Sequence, residues 1–160
     1  MGDALRLERV RFSDPDAQTL VAEVQDHYVA LYGEPDETPL DVGIFDPPGG
    51  GFFVGYADDV PVAMGGWRLR HDVHPWGRRT AAEIKRMYVT KAARRRGYAR
   101  AVLRHLEDTA RQAGADVMVL ETGTAQPDAI AMYEASGYEL VDNFGYYAFS
   151  PYCRSFAKPL

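Results

Sequence analysis

Apolar and polar residues alternate at the start of the chain, then change period. Leu5, Leu7 and Val10 are separated by Arg6, Glu8 and Arg9, the two-residue rhythm of a half-buried strand. After Asp14-Pro15-Asp16, a turn with helix-start chemistry, Leu20, Val21, Val24, Tyr28 and Leu31 follow at helical spacing. Periodicity is lost over residues 33–51, which are rich in Pro, Gly and Asp and carry Phe45; so long an irregular stretch suits a binding loop. Residues 52–57 and 61–70 predict two strands joined by a tight Asp58-Asp59 turn. A polar loop over 71–80 leads into a further strand at 82–89.

Ala99, Val102, Leu103, Leu106, Ala110 and Ala113 then trace an amphipathic helix that ends near Gly114. Residues 116–121 have the pattern of a buried strand and 122–126 that of a loop. Pro127 opens a last helix, with Ala129, Ile130, Met132 and Tyr133 on its apolar side, and Gly137 stops it. Residues 138–141 and 146–157 read as closing strands. This order predicts an α/β fold, a mixed sheet with helices on its faces, in a single domain over residues 1–160. No internal repeat or linker interrupts it.

Composition narrows the classes of function. With 160 residues, 46% hydrophobic and 26% charged, the chain has enough apolar mass for one core. A net charge of −5 argues against a general nucleic-acid binder, although the arginines are locally concentrated. The one cysteine, Cys153, excludes an intramolecular disulfide and a thiolate metal cluster, and a buried apolar thiol is its default reading. His71 and His74 flank Asp72 in a loop, but no His-Glu-x-x-His spacing exists, so no catalytic metal is expected. No apolar run approaches the roughly 20 residues of a membrane span, and residues 1–10 lack the apolar core of a signal peptide. The expectation is a soluble cytoplasmic protein.

The chemistry concentrates between the strand at 82–89 and the helix after it. Arg94-Arg95-Arg96-Gly97-Tyr98-Ala99 is a basic, Gly-containing turn feeding a helix start, where backbone N–H groups and the helix dipole hold a pyrophosphate. Gly97 permits close backbone approach and Ala99 keeps the first helical turn slim. N–H groups from Arg95 to Arg100 point at the ligand, with the arginines adding charge-assisted contacts. The bland alternative is a solvated basic helix start.

The element order and two motifs resemble the GCN5-related N-acetyltransferase (GNAT) superfamily. Arg94-x-x-Gly97-x-Ala99 is similar to its acyl-coenzyme A signature, Gln/Arg-x-x-Gly-x-Gly/Ala. Residues 129–138, with Tyr133 ahead of Gly137-Tyr138, look like its second signature. The resemblance implies a mixed, mostly antiparallel central sheet and N-acetyl transfer from acetyl-CoA to a primary amine, by direct attack with both substrates bound. It implies that Met87, Tyr88 and Val89 flank the pantetheine arm beside the turn, with a backbone N–H near Val89 polarising the thioester. Ala129 also falls in the cofactor-binding stretch. Gln126 stands where many members carry asparagine, a departure that puts its pantetheine contact in doubt. Tyr133 would protonate the departing thiolate, core packing being its alternative role. Glu83 leads as general base, acting directly or through water, and Glu121 is the second carboxylate; either could bind the acceptor ammonium or form a structural salt bridge with Lys85, Arg86 or Arg68. Phe144, Tyr146, Tyr147, Phe149 and Tyr152 could line an acceptor pocket opposite the Phe45 loop. A small-molecule or peptide amine is the expected partner, with no nucleic acid or membrane and a homodimer left open. The rival readings are a non-catalytic acyl-CoA binding or sensing module and an acylator of aminoacyl-tRNA, the latter disfavoured by the acidic balance.

Overall fold

A computed structural model describes residues 4–160. Its elements run β1 (Arg6–Val10), α1 (Pro15–Tyr32), β2 (Gly50–Ala57), β3 (Val60–Arg70), β4 (Ala81–Val89), α2 (Tyr98–Gln112), β5 (Val117–Gly123), α3 (Pro127–Ala135), β6 (Glu139–Val141) and β7 (Cys153–Pro159). Asp14 caps α1, its carboxylate accepting from the N–H groups of Asp16 at 2.9 Å and Ala17 at 3.3 Å, and Pro15 follows where the missing N–H costs nothing. Asp58 and Asp59 both adopt positive φ, which fits the twist of the tight β2–β3 hairpin.

The seven strands form one sheet in the order β1-β2-β3-β4-β5-β7-β6. Every neighbouring pair is antiparallel except β4–β5, which is parallel. Adjacent residues of β2 point to opposite faces, so Phe52 and Phe53 enter different cores. On one face, Leu20 and Val24 of α1 pack on Phe52, Val54 and Met64. On the other, Val102, Leu103 and Leu106 of α2 and Tyr133 of α3 pack on Trp67, Ile84, Leu120 and Phe156. The remainder of the α1 face, over Ala81, Val117, Val119 and Ala157, is covered by Val73 and Phe144. Gly66 has no side chain because Phe52 occupies the place, 2.5 Å from where a Cβ would stand.

The middle of the sheet departs from regular pairing in two places. The parallel β4–β5 ladder is brief, joining Ala81–Glu83 to Val117–Val119, after which the two strands diverge. Each keeps its outer partner, with Val89 still opposite Ala63 and Gly123 opposite Cys153, so the sheet opens as a V between its two halves. On the β3 side β4 also bulges, with Arg86 and Met87 opposing the single residue Gly65. Arg86 carries a φ of 57°, a conformation that costs a residue with a Cβ and fits the bulge.

One sequence expectation is corrected: the last strand is shorter than 146–157, because the first part of that segment is turn and β7 begins at Cys153. Phe45 packs in the α1-side core at 1% exposure, edge-on against Phe12 at 5.1 Å.

Candidate active site

The V between β4 and β5 is an open cleft of about 1610 Å³. One wall is Ile84 to Val89, the other Leu120 to Gln126, with α3 above and the start of α2 at one end. Because the two strands no longer pair there, their facing edges present unsatisfied backbone groups to whatever lies between them, the arrangement an added strand or an amide-bearing chain can use.

At the α2 end the chain turns through Arg95 with φ 65° and Gly97 with φ 81° before the helix begins. Gly97 is the N-cap, and having no side chain it offers the helix start no side-chain cap. Arg94 donates from Nε to the Val89 carbonyl at 3.2 Å and lies 5.8 Å over the Tyr88 ring, which ties the turn to the end of β4. Arg94, Arg95, Gly97, Tyr98 and Ala99 line the cleft, as do Met87, Tyr88, Val89, Gln126 and Ala129; Arg96 and Arg100 do not.

Tyr133 reaches the cleft from α3, only 7% exposed, with its ring edge-on to Tyr138 at 5.7 Å. Burial, with the neighbouring Tyr28 adding to it, pushes its phenol well above the ordinary range and keeps it protonated. Glu121 lines the cleft from the opposite face of the sheet, because β5 residues 117, 119 and 121 alternate away from the core of α2. Its side chain is 7% exposed; Oε2 accepts from the Cys153 thiol at 3.3 Å, while Oε1 is buried without a hydrogen bond, 3.8 Å from the Lys85 ammonium. Gly145 lies against this carboxylate so closely that a Cβ there would meet Oε1 at 1.9 Å. Burial and the Glu121 charge raise the Cys153 thiol to about 11, so it is a neutral donor and not a thiolate nucleophile.

Glu83 lies elsewhere. It is 0% exposed, absent from the cleft lining, and held by Arg68 at 2.9 Å, Arg70 at 3.4 Å and Lys85 at 3.3 Å. A carboxylate with three cations and no opening cannot reach a substrate ammonium directly, so the geometry is that of a structural ion cluster under the site. Gln126 lines the cleft, and its amide donates to the Tyr32 hydroxyl at 3.0 Å. Of the late aromatics, Tyr147 and Tyr152 line the cleft, whereas Phe149 is fully exposed, Tyr146 is largely so, and Phe144 packs under Arg70.

Tyr32, Lys85, Arg86 and Asp36 also line the cleft, which sequence reasoning missed. Arg86 is 5% exposed in its side chain and pairs with Asp36 from the loop after α1. Burial acts to raise the Asp36 carboxyl, but Arg86 and the bonds from Thr38 outweigh it and hold it below its ordinary value. Tyr147 closes the arrangement: its hydroxyl donates to Asp36 at 3.2 Å and accepts from the Glu37 N–H at 2.8 Å. Adjacent buried cations within a strand are the signal that could have marked Lys85 and Arg86. Among the described residues no group of His, Cys, Asp and Glu could hold a metal ion, and no helix is long and apolar enough to cross a membrane.

Comparison with known proteins agrees with this geometry. The model of the Acetyltransferase (GNAT) family matches residues 6–138. A curated relative, an IAA acetyltransferase of Azospirillum brasilense, is 40% identical over 78 residues, 49% of this chain and 51% of its own, so the match spans about half of that protein. Among solved structures, a protein of Klebsiella pneumoniae subsp. pneumoniae described as an acyl-CoA N-acyltransferase superposes with a TM-score of 0.78 at 24% identity, covering 98% of this chain and 97% of that one. The PaiA N-acetyltransferase of Thermoplasma acidophilum, solved with coenzyme A, superposes with a TM-score of 0.72 at 11% identity, covering 98% and 99%.

Proposed function

Because this chain belongs to the acetyltransferase (GNAT) family, we propose that it transfers the acetyl group of acetyl-CoA to a primary amine, with both substrates held in the cleft between β4 and β5. The observation that carries this reading is the divergence of the two strands after Glu83 and Val119, beside the Gly97 turn and with Tyr133 and Glu121 on opposite faces. The residues fit the cosubstrate: the N–H groups at the start of α2 suit a pyrophosphate, and the free edges of Met87–Val89 and the wall from Leu120 suit the amides of pantetheine.

Glu121 takes the proton from the acceptor ammonium, because only a free amine has a lone pair with which to attack. The amine nitrogen bonds to the acetyl carbon as the bond to sulfur breaks, the second proton that the nitrogen sheds passes to water, and Glu121 returns its own proton to solvent. Tyr133 gives its phenolic proton to the departing thiolate and recovers one from solvent. The thiol of Cys153 plays no covalent part; it holds Glu121 in place. Glu83 acts from below by fixing Lys85, and Lys85 in turn steadies Glu121.

A thermal-melt titration tests the cofactor half. Acetyl-CoA and CoA should each stabilise the protein, by about 2.7 kcal/mol at a hundred times the dissociation constant, and ATP should not. Amine-dependent thiol release tests the other half. Absence of any shift at millimolar acetyl-CoA removes the proposal, and binding without thiol release on any amine leaves a coenzyme A-binding module.

A further inference from the structure

Resting on the transferase reading, we propose that the acceptor is a primary amine that also carries a carboxylate, an amino acid or a close derivative. Two residues that line the same cleft each hold a buried side-chain atom with no hydrogen-bond partner, Glu121 Oε1, 3.8 Å from the Lys85 ammonium, and Arg86 Nε. Their side chains are 7% and 5% exposed. Leaving such atoms unmade is costly, and native proteins keep them where a ligand completes them. A third orphan, Glu83 Oε2, is not a cleft atom and sits 3.3 Å from the Lys85 ammonium.

The two cleft atoms ask for complementary groups. Glu121 Oε1 accepts from an ammonium, and it is the oxygen placed to take that proton. Arg86 spends Nη1 on Asp36, which leaves the Nε edge of the guanidinium for a second, planar anion; a carboxylate is the group that meets that edge through two parallel bonds. The bulge explains why this arginine is available: with φ 57° it leaves the regular pleat of β4 and lines the cleft instead of solvent. Tyr28, Tyr32 and Tyr147 line the same cleft and offer flat apolar surfaces to the side chain of the acceptor.

The test compares three acceptors with one ring and one primary amine: phenylalanine, phenylalaninamide and phenethylamine, read by thiol release from acetyl-CoA. Phenylalanine should show a kcat/KM about 100-fold above the other two, as expected for a charge-assisted pair in a desolvated site. Arg86→Lys, which keeps the charge beside Asp36 but loses the fork, should shrink that ratio below about tenfold, chiefly through KM. Equal kcat/KM for the three, or a preference for phenethylamine, overturns the proposal and leaves acetyl transfer standing. Should none be acetylated, the three are titrated against the protein in a melt, with acetyl-CoA bound if it binds and without it otherwise. Stabilisation by phenylalanine alone supports the carboxylate site, and equal or absent stabilisation overturns it. Failure of acetyl-CoA itself to bind is a separate result and counts against the transferase reading.

Discussion

At Tyr133 a single hydroxyl separates two readings, a catalytic acid and a packing ring. Its burial against Tyr138 satisfies both, so activity has to decide between them. Tyr133→Phe keeps the ring and should lower kcat by about 100-fold, the lower end of the range for general acid catalysis, while the acetyl-CoA dissociation constant measured by calorimetry stays unchanged. A packing role leaves kcat alone. The raised phenol also sets the pH behaviour. Because burial holds Tyr133 neutral well above its ordinary range, its ionisation should produce no fall in kcat between neutral pH and about 10. Stability depends on the same shift. Tyr133 and Tyr138 keep their protons in the fold, by burial in both and by the Glu107 carboxylate beside Tyr138. Below about pH 10 both states hold those protons and nothing changes; above it the unfolded chain alone releases them, so the denaturation midpoint should drop as pH rises past 10. The places of Tyr133 on α3 and of the Gly97 turn before α2 were legible in the sequence because each sits in a local pattern. The position of Glu121 at the end of its strand was legible as well, whereas the approach of both Arg68 and Arg70 to Glu83 depends on the register between β3 and β4.

Most elements can be read from pattern, because the helices bury one stripe, the inner strands are apolar runs and the caps are local. Asp14 at the head of α1, the Asp58-Asp59 hairpin and Pro127 at the start of α3 were all visible in this way. The bulge in β4 was not, because nothing in Lys85-Arg86-Met87 announces that two residues will oppose one. The turn before α2 allows a direct prediction. Gly97 has φ 81° and open space around it, so Gly97→Ala meets backbone strain alone, roughly 1–2 kcal/mol by denaturation. Acetyl-CoA affinity should fall with it as the first N–H groups of α2 tilt. Gly66→Ala fails for a different reason, since the new methyl meets Phe52 and Phe45; it should cost about 1–3 kcal/mol with affinity for acetyl-CoA retained. The pair of variants separates a glycine needed for a ligand from one needed for a core.

Across the whole molecule, two halves of a sheet share only a short parallel ladder, and the helices hold them at a fixed opening. The carboxylate of Glu107 on α2 takes the Tyr138 hydroxyl at 2.7 Å and the Lys158 ammonium of β7 at 3.2 Å, so a buried ion pair ties the central helix to the far half of the sheet. The opening is a product of non-local register, with Ala81–Glu83 meeting Val117–Val119 and nothing beyond, and so it could not be counted out along the chain. The central claim is that this opening is where acetyl-CoA lies and reacts. A crystal structure of the protein grown with acetyl-CoA tests it most directly. The account predicts pantetheine density running between Met87–Val89 and the wall from Leu120, the pyrophosphate on the N–H groups at the start of α2, and the sulfur within hydrogen-bond reach of the Tyr133 hydroxyl. Density for the cosubstrate outside the β4–β5 opening, or a sulfur turned away from Tyr133, would contradict it.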